Sequence, residues 1–220
     1  AAAPVVQRRY GVLAETVAQI GGPELRNVAT VGGNVAGALP CADMPPVLMT
    51  LGARVKLSRA GGERWLPLED FFPEFGRTAA ADGELVSEIG VPPPPPRSAG
   101  VYLKFHDRHA MDMTVVGVGA FVTLERDGGA IKELRLALAG SAPTIFRARR
   151  AEALLRGQAP SEEAFDAALE AAAEAASREA APRSSWRANR EYRTVLIRSL
   201  TTRAIRRACE KAGRREGVAR

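Results

Sequence analysis

Cysteine is scarce in this sequence. Cys41 and Cys209 are the only two cysteines among the 220 residues. An iron–sulfur cluster held by four cysteines therefore cannot be bound by this chain alone. Two cysteines also provide no disulfide framework, which is typical of proteins from a reducing cytosol, and we expect a cytoplasmic location.

Long apolar runs are absent as well. No run approaches the roughly 20 residues of a membrane-spanning helix, and the initial "AAAPVVQRRY" contains no apolar signal core. The sequence lacks an initiator methionine, so we expect a processed or excised piece of a longer protein. The composition, 46% apolar and 25% charged residues, is that of an ordinary globular protein with a sizeable core.

Motifs of nucleophilic and nucleotide-dependent enzymes are missing. No G-x-S-x-G occurs, and Ser141 in "AGSAPT" is expected to be a turn residue after a strand. "GVGA" at 117–120 has Val122 where the dinucleotide fingerprint needs its last glycine, and no predicted helix follows. Its two glycines indicate instead a bulge or close packing within a strand. We expect no catalytic nucleophile.

Histidine is equally scarce. His106 and His109 lie in "FHDRHAMD", where a nearby Asp suggests a metal-binding interpretation. Residues three apart on a strand point to opposite faces, so the two imidazoles converge only if this segment is helical or irregular. No third ligand has a compelling position, and we expect no metal site.

The charge balance is basic. The chain has 31 Lys and Arg against 25 Asp and Glu, a net charge of +6, with much of the excess in "RAIRRACEKAGRREGVAR" at 203–220. A basic stretch can mark nucleic-acid binding. No aromatic residues interleave with these charges to stack on bases, so the pattern favours a solvated helix end, where Lys and Arg are stabilising.

Hydrophobic periodicity and turn signals predict two α+β units. In the first unit, helices are expected at 10–20 and 45–53, two strands within 53–68, a turn or short helix at 68–76, and a strand at 83–92. Five consecutive prolines at 92–96 cannot pair in a central strand, so they mark the best boundary. We therefore predict domains at 1–97 and 98–220.

The second unit is predicted to be an antiparallel sheet of three strands followed by helices. Strands are expected at 101–107, 114–126 and 130–140, with a hairpin turn "DGG" at 127–129. One helix should end at Gly157, a second should run from an N-cap at Ser161 to Pro182, and a third should cover 186–213. The apolar stripe of the third helix is predicted to be Tyr192, Val195, Leu196, Leu200 and Ile205.

The segment with the most informative chemistry is "RNVATVGGNVAGALPCADMPPVL", residues 26–48. Backbone N–H groups that can face one way and form an anion-binding concavity belong to Gly32, Gly33 and Asn34. Thr30 can add a hydroxyl donor, and Asp43 can accept hydrogen bonds from sugar or sugar-alcohol hydroxyls. Together these groups suit a ligand with a diphosphate and a polyol. A tight turn between core elements is the alternative.

This segment resembles the second flavin-binding motif of the FAD subunit of molybdenum hydroxylases, the family of xanthine dehydrogenase and aerobic carbon monoxide dehydrogenase. The family pattern is T-[IV]-G-G-[NS] followed by an Asp-Pro segment. Further matches, which extend the resemblance over nearly the whole chain, are "EDFFPEF", "GELVSEIGVP", "YLKFHDRHAMDMTVVGVGAFV", "LALAGSAPTIFRARRAEALLRG" and "EYRTVLIRSLTTRAIRRA". The resemblance implies an α+β fold: the second lobe of a two-lobe FAD-binding domain, a mixed sheet with helices, and then a small three-stranded antiparallel sheet with a helical bundle.

The resemblance also implies a function. In the family, electrons pass from a molybdopterin-binding large subunit to a 2Fe–2S small subunit, then to FAD, and then to NAD or another acceptor. This chain would be the FAD-binding electron-transfer subunit, and the cofactor rather than a side chain would do the redox chemistry. The residues implied to bind FAD are Thr30, Gly32, Gly33 and Asn34 along the diphosphate and ribityl region, Asp43 at the ribityl or ribose hydroxyls, Ile20 and Val86 as apolar contacts, and Lys104 as a polar contact.

The sequence departs from the family in one respect. Family members begin with another lobe that carries a first glycine-rich loop, A-G-G-[TQ]-[DS], and no such motif precedes residue 26. The chain therefore resembles an excised fragment, a half whose first flavin lobe is a separate partner, or a version that no longer holds FAD. The last case gives the alternative function, a flavin-free assembly subunit of such a complex.

Overall fold

The first part of the chain is mostly helical. The computed structural model describes residues 3–108, 111–125 and 129–214. Five short helices come first: α1 (Pro4–Arg9), α2 (Gly11–Ala18), α3 (Pro23–Val28), α4 (Val31–Ala36) and α5 (Met44–Thr50). Prolines in the first turns of α1, α3 and α5 are tolerated because an N–H at that position has no partner within the helix. The sequence predicts a concavity or a tight turn in the glycine-rich segment at 26–48, whereas its first part is helical and contains the end of α3 and all of α4.

Three strands form the first sheet: β1 (Arg54–Arg59), β2 (Gly62–Pro67) and β3 (Leu85–Gly90). Their order is β2-β1-β3, and both neighbouring pairs are antiparallel. The predicted mixed sheet is wrong, because β1 and β2 form a tight hairpin and β3 returns antiparallel on the other edge of β1. A 3₁₀ turn at Leu68–Asp70 follows β2, where the sequence predicts a turn or short helix.

The second sheet has four antiparallel strands: β4 (Ser98–Phe105), β5 (Val116–Leu124), β6 (Ile131–Ala139) and β7 (Phe146–Arg147), in that order. The predicted three-stranded sheet lacks β7, which pairs only two residues with β6. The hairpin of β5 and β6 is confirmed as an antiparallel pair. Most of its predicted turn, Asp127 and Gly128, lies outside the described residues.

In the described part of the chain, three helices follow the second sheet: α6 (Arg149–Leu155), α7 (Ala164–Glu179) and α8 (Arg190–Arg214). Helix α7 starts after Glu163, without a side-chain cap, so the predicted N-cap at Ser161 is wrong. Helix α8 starts at Arg190 rather than at Trp186. None of the described helices is long and apolar enough to cross a membrane.

The buried face of α8 differs from the predicted stripe. Leu196, Leu200 and Ile205 are buried as expected, but Tyr192 and Val195 are exposed. The core-facing position of the first turn is taken instead by Arg193, whose guanidinium donates to the backbone carbonyls of Val115 and Gly140. A buried cation needs such hydrogen bonds, and the core-facing position supplies them. The partly exposed Tyr192 ring packs edge-on against Phe105 of β4.

Strand β5 separates two layers of helices. Val118, Ala120 and Val122 belong to the apolar core shared with α8. Gly119 faces the other way, where an added Cβ would lie 3.2 Å from the carbonyl oxygen of Pro46 in α5. The expectation of close packing at the "GVGA" glycines is therefore confirmed, and α5 is held directly against the sheet.

Candidate functional site

Thr30 caps helix α4. Its Oγ1 accepts a hydrogen bond from the Gly33 N–H at 2.9 Å, and its carbonyl oxygen accepts one from the Asn34 N–H at 3.0 Å. Two of the three N–H groups predicted to form an anion-binding concavity are thus already bonded within the turn. The Gly32 N–H lies in the same first turn, where helices leave their N–H groups available.

Gly32 has open space in front of it. Its backbone is helical, and an added Cβ would meet no other atom within 4 Å. Neither packing nor a left-handed dihedral therefore requires glycine at this position. A side chain at this position would extend into that open space.

A cavity of about 390 Å³ lies beside Gly32. Its wall is mainly apolar and includes Met44 and Leu48 of α5 and Val86 of β3. Ile20 packs half-buried against the same apolar cluster without lining the cavity. Two of the predicted contacts, Gly32 and Val86, therefore share one cavity large enough for part of a cofactor.

Asp43 lies at the start of α5 in a buried polar cluster, which we call the Asp43 cluster: Asp43, Tyr102, Lys104 and Thr114. Oδ1 of Asp43 accepts from the Tyr102 hydroxyl at 2.7 Å and from Thr114 Oγ1 at 2.6 Å. Oδ2 accepts from Lys104 Nζ at 3.2 Å. A carboxylate with little exposure is stable only when it is paired in this way.

Strand alternation brings these partners together. Tyr102 and Lys104 are two residues apart on β4 and so lie on one face of the sheet. Lys104 Nζ also donates to the Gln19 carbonyl at 2.9 Å, next to Ile20. Burial, and after it the charge of Asp43, raises the pKa of the Tyr102 phenol well above its usual value.

The two halves of the predicted site are joined through α5. Asn34 Oδ1 accepts from the Met44 N–H at 3.2 Å, and Met44 directly follows Asp43. Sequence reasoning missed Tyr102 and Thr114. The two-residue spacing from Lys104 could have indicated Tyr102, but no local signal links Thr114 to a partner 71 residues away.

The segment that contains the histidines is organised by a carboxylate. Asp112 accepts hydrogen bonds from the N–H groups of Arg108, Asp107 and Met113 at 2.9, 2.7 and 2.9 Å. The bond from Arg108, followed by the other two, lowers the pKa of Asp112. His109 lies outside the described residues, and within them no three His, Cys, Asp or Glu side chains converge as a metal site.

The sequence matches two known families. Residues 1–94 match the FAD binding domain in molybdopterin dehydrogenase, and residues 101–208 match the CO dehydrogenase flavoprotein C-terminal domain. A xanthine dehydrogenase FAD-binding subunit from Escherichia coli O157:H7 is 33% identical over 210 residues, which are 95% of this chain and 70% of the relative. The chain belongs to the FAD-binding subunits of the molybdenum hydroxylase family.

Other relatives agree with this assignment. The carbon monoxide dehydrogenase medium chain of Hydrogenophaga pseudoflava is 30% identical over 93% of this chain and 69% of the relative. The structure of Cu,Mo-CO dehydrogenase superposes with a TM-score of 0.88 at 29% identity, over 94% of this chain and 70% of that one. The structure of quinoline 2-oxidoreductase from Pseudomonas putida 86 superposes with a TM-score of 0.85 at 27% identity, over 96% of this chain and 70% of that one. These comparisons confirm the predicted family, the α+β fold class, and FAD as the cofactor of the matched domain.

Proposed function

We propose that this subunit passes electrons from the 2Fe–2S clusters of a small partner subunit, through FAD, to NAD or another acceptor, in a complex whose large subunit binds molybdopterin. The family membership supports the general role. The observation that supports a ligand at this site is the mainly apolar cavity of about 390 Å³ that Gly32 lines, where the open space in front of the glycine belongs to the cavity.

The residues present fit FAD. Gly32 would let the diphosphate approach the first turn of α4, whose N–H groups carry partial positive charge. Thr30, Gly33 and Asn34 would shape that turn. Val86 would contact the cofactor from β3, and Ile20 from the end of α2. Bound FAD would supply the redox chemistry, which no side chain of the site can perform.

The Asp43 cluster would hold the sugar-alcohol end of the cofactor. Among the described residues Asp43 Oδ2 has one bonded partner, Lys104, so a ligand hydroxyl can donate to the same oxygen. Lys104 would keep the carboxylate in place from the other side. These residues bind and orient the cofactor and move no proton in this proposal.

A glycine substitution tests this proposal directly. In Gly32→Ala the added methyl clashes with no protein atom, so the flavin-free protein should unfold at the wild-type temperature or slightly above it. FAD affinity should fall about tenfold or more, since the methyl would occupy ligand space. Gly213→Ala in α8 is the matched control, because it is also a helical glycine with an open Cβ position. Wild-type FAD affinity in Gly32→Ala would contradict the proposal.

Reconstitution separates electron transfer from pure assembly. The full-length protein, combined with its partner subunits, should take up FAD and show a flavin absorption band. Asp43→Ala should lose much of that band on desalting, whereas Asp166→Ala, which removes an exposed ion-paired carboxylate of α7, should keep it. A wild-type complex that assembles without ever taking up FAD would support the assembly alternative.

A further inference from the structure

We infer that Tyr102 and Thr114 are positioning residues of the flavin site: their hydroxyls fix the Asp43 carboxylate so that, among the hydrogen bonds of the described residues, one acceptor position on Oδ2 is left for a ligand hydroxyl. This inference rests on the proposed function, in which Asp43 binds a hydroxyl of FAD.

The acceptor positions of Asp43 can be counted. A carboxylate offers about four, two on each oxygen. The Tyr102 and Thr114 hydroxyls, at 2.7 and 2.6 Å, fill both positions on Oδ1. Lys104 Nζ, at 3.2 Å, takes one on Oδ2. Within the described part of the chain one position on Oδ2 therefore remains, and its direction is set by the two hydroxyls that hold Oδ1.

Both hydroxyls act as permanent donors. An ionised carboxylate only accepts hydrogen bonds, so each hydroxyl must point its hydrogen at Oδ1. The Tyr102 phenol stays protonated because burial, together with Asp43, raises its pKa. Its ring is packed in an apolar cluster with Val12, Val47 and Phe121, so the hydroxyl has no freedom to follow a moving carboxylate.

Strand β5 has a glycine where the Tyr102 hydroxyl needs room. An added Cβ at Gly117 would lie 2.4 Å from the Tyr102 hydroxyl oxygen and 3.1 Å from the Thr114 methyl. Gly117 pairs with Lys104 across the sheet, so this space opens within the Asp43 cluster. This contact is independent of the hydrogen bonds and indicates that the hydroxyl position is built into the sheet.

The test measures the FAD dissociation constant of the flavin-free full-length protein by titration. Tyr102→Phe and Thr114→Val should each weaken binding about tenfold, because Asp43 loses a fixed orientation. Thr114→Ser, which keeps the hydroxyl, should bind within about twofold of wild type. The matched controls are Tyr192→Phe, on the exposed side of α8, and Thr123→Val, a buried threonine of β5. Both controls should also bind within about twofold of wild type.

A double-mutant cycle separates positioning from general stability. In an Asp43→Ala background, Tyr102→Phe should change FAD affinity by less than about twofold, because no carboxylate is left to orient. Full additivity in the cycle would overturn the inference, as would equal losses in Thr114→Ser and Thr114→Val. If Tyr102→Phe and Thr114→Val both bound FAD with wild-type affinity, this inference would be overturned and the proposed function would stand. A wild-type protein that binds no FAD would overturn the proposed function and the inference with it.

Discussion

Lys104 Nζ lies 3.2 Å from Oδ2 of Asp43, and the two side chains are only 4% and 10% exposed. Removing one member of a buried pair leaves the other charge without compensation. Lys104→Met should therefore lower the free energy of unfolding by about 3 kcal/mol, measured by urea denaturation of the flavin-free protein.

An exposed ion pair provides the control for that variant. Arg206 contacts Asp166 at 2.8 Å, but both side chains are about half exposed or more, at 48% and 69%. Arg206→Met should cost less than about 1 kcal/mol because solvent screens such a pair. If Lys104→Met and Arg206→Met lowered the free energy of unfolding by similar amounts, burial of the Lys104 charge would carry no special cost.

The contact between Gly117 and Tyr102 predicts that substitutions at these two positions have non-additive effects on the free energy of unfolding. Gly117→Ala should destabilise the protein by about 2 kcal/mol, since its methyl overlaps the Tyr102 hydroxyl. In a Tyr102→Phe background the same change should cost at least about 1 kcal/mol less, because the closest atom is gone. Denaturant unfolding of the four proteins measures this coupling, and strict additivity would refute the steric explanation.

Thr201 offers a stabilising substitution. It is fully buried in α8, and its Oγ1 has no hydrogen-bond partner within the described part of the chain. Thr201→Val removes the unpaired hydroxyl at nearly constant shape, and should raise stability by about 1 kcal/mol and the melting temperature with it. Thr50→Val is the contrasting variant, because the Thr50 hydroxyl donates to the Val47 carbonyl at 2.8 Å. Destabilisation by both variants would show that the Thr201 hydroxyl is satisfied.

The ion pair of Glu84 and Arg64 predicts that the stability of the fold depends on pH. The hydrogen bonds from Arg64, and then that from the Ala81 N–H, lower the pKa of Glu84 from 4.5 to about 2. A carboxyl whose pKa is lower in the folded state stabilises the fold above its unfolded pKa and loses this contribution as pH falls through the folded value. Thermal unfolding of the wild type and Glu84→Gln should therefore differ most above about pH 5 and converge towards about pH 2.

Glu74→Gln is the control for Glu84→Gln, because it makes the same substitution in an exposed ion pair. Glu74 lies 3.9 Å from Arg77, with both side chains largely exposed. Glu74→Gln should show little change relative to wild type across the same pH range. A stability difference between the wild type and Glu84→Gln that stays constant from about pH 6 to about pH 2 would rule out the ionised Glu84 as its source.

Sequence patterns predict those parts of the fold that depend on neighbours along the chain. In β1, Val55 and Leu57 alternate with the polar Lys56 and Ser58, and α2 has a helical apolar period; both patterns are local, and both elements are present. Strand β7 pairs only two residues, which is too short for any periodicity to show. The helical character of α4 was missed because two glycines argue against a helix, whereas the Thr30 cap and the packing of Val35 stabilise it.

In the candidate site, too, the sequence predicts the residues of one continuous segment but not the partners that come from distant parts of the chain. The glycine motif and Asp43 are visible in the sequence because they belong to one continuous segment. The Asp43 cluster depends on partners 59 and 71 residues away, Tyr102 and Thr114, and no local rule reports such contacts. Arg193 is a further case, since periodicity alone would place an apolar residue at its core-facing position.

The long helix α8 has a consequence for synthesis of the protein. It lies across β4 and β5, and Arg193 reaches back 78 residues to Val115. On the ribosome, both strands therefore emerge well before the helix that covers them. The apolar sheet face that α8 covers has no partner helix until α8 leaves the exit tunnel, and transiently exposed apolar surface of this kind favours aggregation.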